Sequence, residues 1–350
     1  MLTEKITEGI MRYNQLGRTG ILVSELCLGT MTYGDGGHGF WKEIGTLGIE
    51  ETSKHFACAF EHGINFIDTA NAYHRGVTEE LVGKALKNSG RPRSEVVLAT
   101  KARIRMGEGP NQAGLTRSHL IDELHASLNR LSTDYIDLYQ IHGFDPLTPI
   151  EQTLRILNEF VVSGKVRYLG FCNLPAWYAM KANAFAEKMG WNRFESAQMY
   201  YSIAGRDIER EIVPFALDQG LSVLPWSPLA GGLLSGKYSR NSDAPEGSRR
   251  KAFDFPPVDL ERGYSCIEVM QGIAHQHSVS VAQVALAWTV RQPSIASTII
   301  GARTLDQLQD NIAATELALS SEDLYLLNEV SKLPAEYPGW MVERQSQDRL

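Results

Sequence analysis

The chain has 350 residues, 43% of them hydrophobic and 21% charged, with a net charge of −7 and an isoelectric point near 5.8. This is the balance of an ordinary globular protein, and its acidic sign argues against nucleic acid or an anionic membrane as partner. Cys27, Cys58, Cys172 and Cys266 lie far apart with no Cys-x-x-Cys, which suits reduced thiols better than a disulfide framework. No apolar run approaches a membrane span, and the first ten residues lack a signal pattern, so a cytoplasmic location is expected.

Residues 1–10 read as a polar leader. Residues 11–16 and 21–24 flank Gly17-Arg18-Thr19-Gly20 and predict a β-hairpin. A repeating pattern of short apolar strand, polar loop and helix follows. Strands are expected near 26–29, 65–68, 96–100, 136–141, 166–171, 196–199, 222–225 and 298–301. Helical periodicity is expected near 50–62, 78–88, 117–131, 149–163, 175–188, 209–219, 280–291 and 304–315. Such alternation predicts an α/β fold with a parallel sheet closed into a (β/α)8 TIM barrel. No linker divides residues 11–333, which are read as one domain. Residues 334–350 form a tail whose Trp340-Met341 pair suggests that it folds back near the active-site mouth. Two long loops, 31–49 and 229–259, leave the C-terminal ends of strands and are expected to border that mouth.

Three of the apolar runs stop at ionisable groups. Ile64-Asn65-Phe66-Ile67 ends in Asp68, with Tyr73 just beyond; the 96–100 run ends in Lys101; the 136–141 run ends in His142. A strand-end carboxylate is costly to bury without a partner. In neighbouring parallel strands, all four groups would meet at the sheet edge where α/β enzymes place their chemistry.

Asp68-Thr69-Ala70-x-x-Tyr73, then Thr78-Glu79-Glu80-x-x-Gly83, Ala99-Thr100-Lys101 and Gln140-Ile141-His142 resemble the aldo-keto reductase family over most of the chain. The resemblance implies that the hairpin closes the bottom of the barrel. It also implies that Tyr73 donates a proton in carbonyl reduction, that Lys101 lowers the phenol's pKa, that Asp68 holds Lys101, and that His142 orients the carbonyl oxygen. Tyr33, Trp41, Phe144 and Trp340 would complete an aromatic rim for the substrate beside Tyr73 and His142.

The resemblance further implies NADPH as cofactor. Gly29, Thr30 and Met31 at the first strand's end are expected to touch it, with Asp68. Asn173 and Gln198 would hold the nicotinamide carboxamide. Cys172 stands where relatives have Ser, and a thiol is the weaker hydrogen-bond partner. Trp226 would stack on the nicotinamide, with Ser227, Pro228, Leu229, Gly231 and Lys237 approaching the pyrophosphate. Gly301, Arg303, Gln307, Asp310 and Asn311 would take the adenosine end, with Arg303 or Arg249 on the 2′-phosphate.

Other motifs carry less. Gly34-Asp35-Gly36-Gly37-His38-Gly39 fits the dinucleotide fingerprint in letters only, because no helix starts within it. The histidines lack metal-site spacing, and no metal is expected. Two rivals stand beside the reductase. One is a cofactor-binding regulatory subunit of the same fold, like channel β subunits. The other is a barrel lyase or isomerase using Lys101 as a Schiff base, which the cofactor motifs oppose.

Overall fold

The computed structural model describes residues 11–34, 36, 41, 44–240 and 248–348, without the side chains of residues 249 and 252. The leader and most of the 34–39 run lie outside the described residues. Strands β1 (Tyr13–Gln15) and β2 (Leu22–Ser24) form the expected antiparallel hairpin, with Tyr13 opposite Ser24.

The barrel strands follow: β3 (Leu26–Gly29), β4 (Phe66–Asp68), β5 (Val97–Ala102), β6 (Ile136–Ile141), β7 (Val166–Cys172), β8 (Phe194–Tyr200), β9 (Ser222–Trp226) and β10 (Thr298–Ile300). Each pairs in parallel with the next in sequence from β3 to β9, and β10 returns to pair with β3. The ring closes through a short bridge. Val223 donates its N–H to the Ser294 carbonyl at 2.8 Å, and Ala296 donates to the Val223 carbonyl at 3.2 Å. The (β/α)8 barrel read from the sequence is therefore the fold.

Helices α1 (Ile49–Glu61), α2 (Val77–Ser89), α3 (Arg117–Leu131), α4 (Ile150–Val162), α5 (Ala176–Met189) and α6 (Ile212–Gln219) cover the outside. After β9 come a short helix α7 (Arg249–Ala252), then α8 (Leu260–His277), α9 (Val281–Thr289), α10 (Leu305–Ala313), α11 (Ser321–Val330) and α12 (Gly339–Ser346). Helices α7, α8, α11 and α12 are additions to the sequence reading. Asp259 caps α8 by accepting the Arg262 N–H, and Cys266, Ile267, Met270, Ile273 and Ala274 form its buried stripe. Ser320 and Asp323 make a capping box at the start of α11.

Two apolar layers result from the two faces of each strand. Ile67, Leu98, Tyr139, Phe171 and Val223 point outward into the helix-packed core. Phe66, Val97, Ala99, Leu138 and Leu224 point inward, and the fully buried Leu16 of the hairpin packs with them. Gly17 donates its N–H to Ser222 Oγ at 2.7 Å, and Asn14 Nδ2 reaches the Ala296 carbonyl at 2.8 Å. The hairpin thus plugs the N-terminal end of the barrel and leaves the C-terminal end open.

Helices α2 and α3 pack closely because Gly83 has no side chain. A Cβ there would lie 2.7 Å from the Arg130 carbonyl oxygen and 2.8 Å from that of Leu131, both backbone atoms that cannot swing aside. Gly83→Ala should therefore destabilise the fold by about 1–3 kcal/mol, the usual range for overpacking. Urea unfolding that leaves the midpoint unchanged would show that the helices separate without strain.

Candidate active site

The same period of two that fills the barrel also aims the polar groups. In β4, Phe66 points inward, so Asp68 does too. In β5, Val97, Ala99 and Lys101 share the inner face; in β6, Leu138 and Gln140 do, and His142 follows in step just past its end. Gln198 on β8 joins them. Register brings these positions to one level: Asp68 lies opposite Ala99, and Lys101 opposite Gln140. The four ionisable groups singled out in the sequence are thus gathered at the open end.

Lys101 is fully buried. Its Nζ donates to Asp68 Oδ2 at 2.5 Å, to the Thr69 carbonyl at 2.9 Å and to the Tyr73 hydroxyl at 3.3 Å. Three donors have three acceptors, which is what a buried ammonium requires. The other Asp68 oxygen, Oδ1, accepts from Gln198 Nε2 at 2.8 Å and from Gln140 Nε2 at 3.1 Å. Gln140 was not among the residues singled out from the sequence. Its signal was its place in Gln140-Ile141-His142, two residues before the histidine and therefore on the same face.

Burial alone would lower the Lys101 pKa. The charges of Asp68, Tyr73 and Cys172, with the Asp68 hydrogen bond, outweigh it and raise the pKa, so Lys101 is charged at neutral pH. Burial pushes the Tyr73 phenol up, Lys101 pulls it down, and Asp68 opposes Lys101. The net direction is upward, so the acidifying effect expected from Lys101 is present but is outweighed by burial. Burial, then the charges of Lys101 and Arg103, hold His142 well below the ordinary histidine value. Its imidazole is neutral where a free histidine would begin to charge.

These groups open onto a cavity of about 800 Å³. Gly29, Thr30, Met31 and Trp41 line it from the β3 side, beside Asp68, Tyr73, His142, Asn173 and Gln198. The Trp41 ring meets Tyr73 edge-on at 5.9 Å and lies 4.9 Å from His74, whose Nε2 is 3.1 Å from the Trp41 carbonyl. Trp226 donates Nε1–H to Asn173 Oδ1 at 3.0 Å, and Phe255 stacks on it at 5.6 Å and 11°. Phe253, Phe255, Arg103 and Ile104 also line the cavity and went unread in the sequence. Phe253 and Phe255 were aromatic residues within a loop otherwise rich in Gly, Ser, Pro and Arg, which was the available signal.

Ser227, Pro228, Leu229, Gly231 and Lys237 continue the wall beyond Trp226. Ser227 Oγ accepts the Gly231 N–H at 2.8 Å, and Gly231 takes a φ of +68°. A Cβ on Gly231 would fall 2.5 Å from the Phe255 carbonyl oxygen, so only glycine fits that turn. The far end holds Gly301, Arg303, Gln307, Asp310 and Asn311 at the start of α10. Thr304 caps that helix, Gln307 Oε1 accepts the Arg303 N–H at 2.9 Å, and Asp310 accepts from Ser280 and Gln283 at 2.8 Å.

Several residues lie elsewhere. Tyr33 is 1% exposed and packs against His55 and Phe56 of α1, with its carbonyl accepting from Thr78 Oγ1; it is a core residue rather than part of the rim. Phe144 packs edge-on against Tyr178 at 5.0 Å, outside the cavity. Trp340 on α12 contacts Tyr337, which precedes that helix, also outside the cavity. Glu336 of the tail forms an ion pair with Arg210 at 2.7 Å. Cys172 is buried behind Asn173, its Sγ 3.9 Å from Gln140 Oε1, and does not line the cavity. The Arg249 side chain lies outside the described part of the structure.

The buried ion pair makes a definite energetic forecast. Removing one partner strands the other in a low-dielectric interior, which costs about 3–5 kcal/mol. Asp68→Asn and Lys101→Met should each destabilise the protein by that amount in urea unfolding. The double variant should be more stable than the sum of the single losses implies. Strictly additive losses would show that the two charges do not depend on each other.

Comparison with known proteins places this geometry. The model of the "Aldo/keto reductase family" matches residues 25–332. A protein named "Versiconal hemiacetal acetate reductase" from Aspergillus parasiticus is 35% identical, covering 94% of this chain and 99% of its own. "Uncharacterized oxidoreductase YrpG" from Bacillus subtilis is 38% identical over 91% of this chain and 96% of its own. A protein named "Probable voltage-gated potassium channel subunit beta" from Arabidopsis thaliana is 32% identical over 88% and 92%. With the fold, the order of motifs and these matches in agreement, the chain belongs to the aldo/keto reductase family of oxidoreductases.

Proposed function

We propose that the protein reduces an aldehyde or ketone to an alcohol with NADPH as the reductant. The observation that carries this reading is the Tyr73 hydroxyl: it opens onto the cavity while lying 3.3 Å from an ammonium that its Asp68 partner holds in place. A phenol so placed can give up a proton as negative charge develops on a substrate oxygen. Lys101 stabilises the phenolate that remains. Neutral His142 can offer one N–H to the same oxygen and fix its direction.

The donor set fits a nicotinamide dinucleotide. Asn173 Oδ1 and Gln198 Nε2 are engaged within the protein, which leaves Asn173 Nδ2 and Gln198 Oε1 as a donor and an acceptor suited to a primary carboxamide. The glycine turn at Gly231, Lys237, and the N-terminus of α10 with Arg303 suit phosphate oxygens. When bound, such a cofactor would supply the hydride. Trp226, backed by Phe255, would stack on one face of the nicotinamide and leave the other face open for hydride transfer.

The relative named as a channel subunit supports a second reading, in which the fold binds cofactor to regulate a partner. Steady-state oxidation of NADPH with a simple aldehyde separates the two. Repeated turnover is expected here, and a single equivalent oxidised without further turnover would favour regulation. In the same assay Arg303→Ala should weaken NADPH binding by roughly 1.5–3 kcal/mol, the range for hydrogen bonds to charged groups, and barely change NADH binding. Equal losses for both would remove Arg303 from recognition of the 2′-phosphate.

A further inference from the structure

We propose that Arg103 determines substrate specificity by receiving a carboxylate carried on an aromatic carbonyl substrate; this rests on the carbonyl-reduction reading above. Arg103 follows directly on β5 and lines the cavity. It sits beside the reacting end. His142 donates its backbone N–H to the Ala102 carbonyl at 3.0 Å, and a Cβ on Gly143 would lie 4.0 Å from Arg103 Cδ. The Arg103 charge is also felt at the His142 imidazole.

The guanidinium is aimed rather than loose. Its Nε donates to the Phe144 carbonyl at 2.9 Å. Among the described residues its two terminal nitrogens have no hydrogen-bond partner, and no carboxylate forms an ion pair with it. Asp68, the acid of the catalytic cluster, is already paired with Lys101. The other cations lining the cavity, Lys237 and Arg303, stand beyond Trp226 at its opposite end. Among the described residues, Arg103 is therefore a positive charge without an ion-pair partner beside the apolar surfaces of Trp41 and Ile104.

An unpaired guanidinium in an aromatic mouth selects for a flat apolar body bearing a single negative charge. Two terminal N–H donors match the two oxygens of a carboxylate. A dianionic phosphate would call for more donors than Arg103 alone supplies. Because Arg103 is half-exposed, the attraction is partly screened, and its contribution lies toward the modest end for a charged contact.

The test compares 3- and 4-formylbenzoate with their methyl esters, which have nearly the same shape and no charge. In wild type, Arg103→Lys and Arg103→Gln, the quantity read is the ratio of kcat/KM for the acid to that for its ester. Arg103→Gln should lower that ratio roughly 10–100-fold, the equivalent of one charge-assisted hydrogen bond. Arg103→Lys, which keeps the charge but loses the planar fork, should fall between. A ratio within about twofold of wild type in Arg103→Gln would overturn the proposal. Binding of benzoate against benzamide, followed by tryptophan fluorescence of the protein with NADP+, gives a readout without turnover. Benzoate binding that depends on Arg103 in a protein that reduces neither aldehyde would overturn the reductase reading and leave the carboxylate site standing. Reduction of both aldehydes with an unchanged ratio would do the opposite.

Discussion

The site depends on a lysine ammonium held where water cannot reach it. Lys101 is fully buried, and its charge survives only because Asp68 is equally buried beside it and the Thr69 carbonyl and Tyr73 hydroxyl accept its remaining protons. Taking such a pair out of water is expensive, and its geometry must be close to complete to recover that cost. Gln140 and Gln198 complete it by filling the second Asp68 oxygen. Four strands contribute to this cluster: β4, β5, β6 and β8. A closed barrel is one of the few folds that can bring four strand ends to one point without a loop doing the positioning.

The consequence reaches the phenol. Buried on its own, Tyr73 would be a very weak acid, and burial does raise its pKa. Lys101 is the opposing influence, and it can oppose only while Asp68 keeps it in register. The cavity then divides by charge. Among the described residues, the end beside Trp41 is lined by apolar surface and the Arg103 guanidinium. The end beside Lys237 and Arg303 has cations, a glycine turn and a helix N-terminus.

Much of this was legible in the sequence because strand periodicity converts directly into direction. A run that alternates inward and outward and ends in Asp68, Lys101 or His142 tells which face those side chains take. The loops did not translate as readily. Tyr33 was expected at the rim because it follows β3 in a long loop, yet a tight turn, with its N–H on the Thr30 carbonyl, sends it into the α1 core. Phe144 and Trp340 likewise found aromatic partners outside the cavity. Helices α8 and α11 were readable from the Asp259 cap with its apolar stripe and from the Ser320–Asp323 box. The loop composition before α8 and the polar stretch around α11 obscured them. Gln140 was readable from its place two residues before His142, whereas Arg103 needed the registration of adjacent strands, which a single sequence does not display.

The most direct measurement is carbonyl reduction by Tyr73→Phe. The substitution removes one oxygen and leaves the ring packed beside Trp41 and His142. A general acid is typically worth about 10²–10⁴-fold in rate. The account predicts a loss of that size in aldehyde reduction, with NADPH still quenching tryptophan fluorescence at an unchanged concentration. Turnover within a few-fold of wild type, with cofactor binding intact, would contradict it and assign the proton to another group.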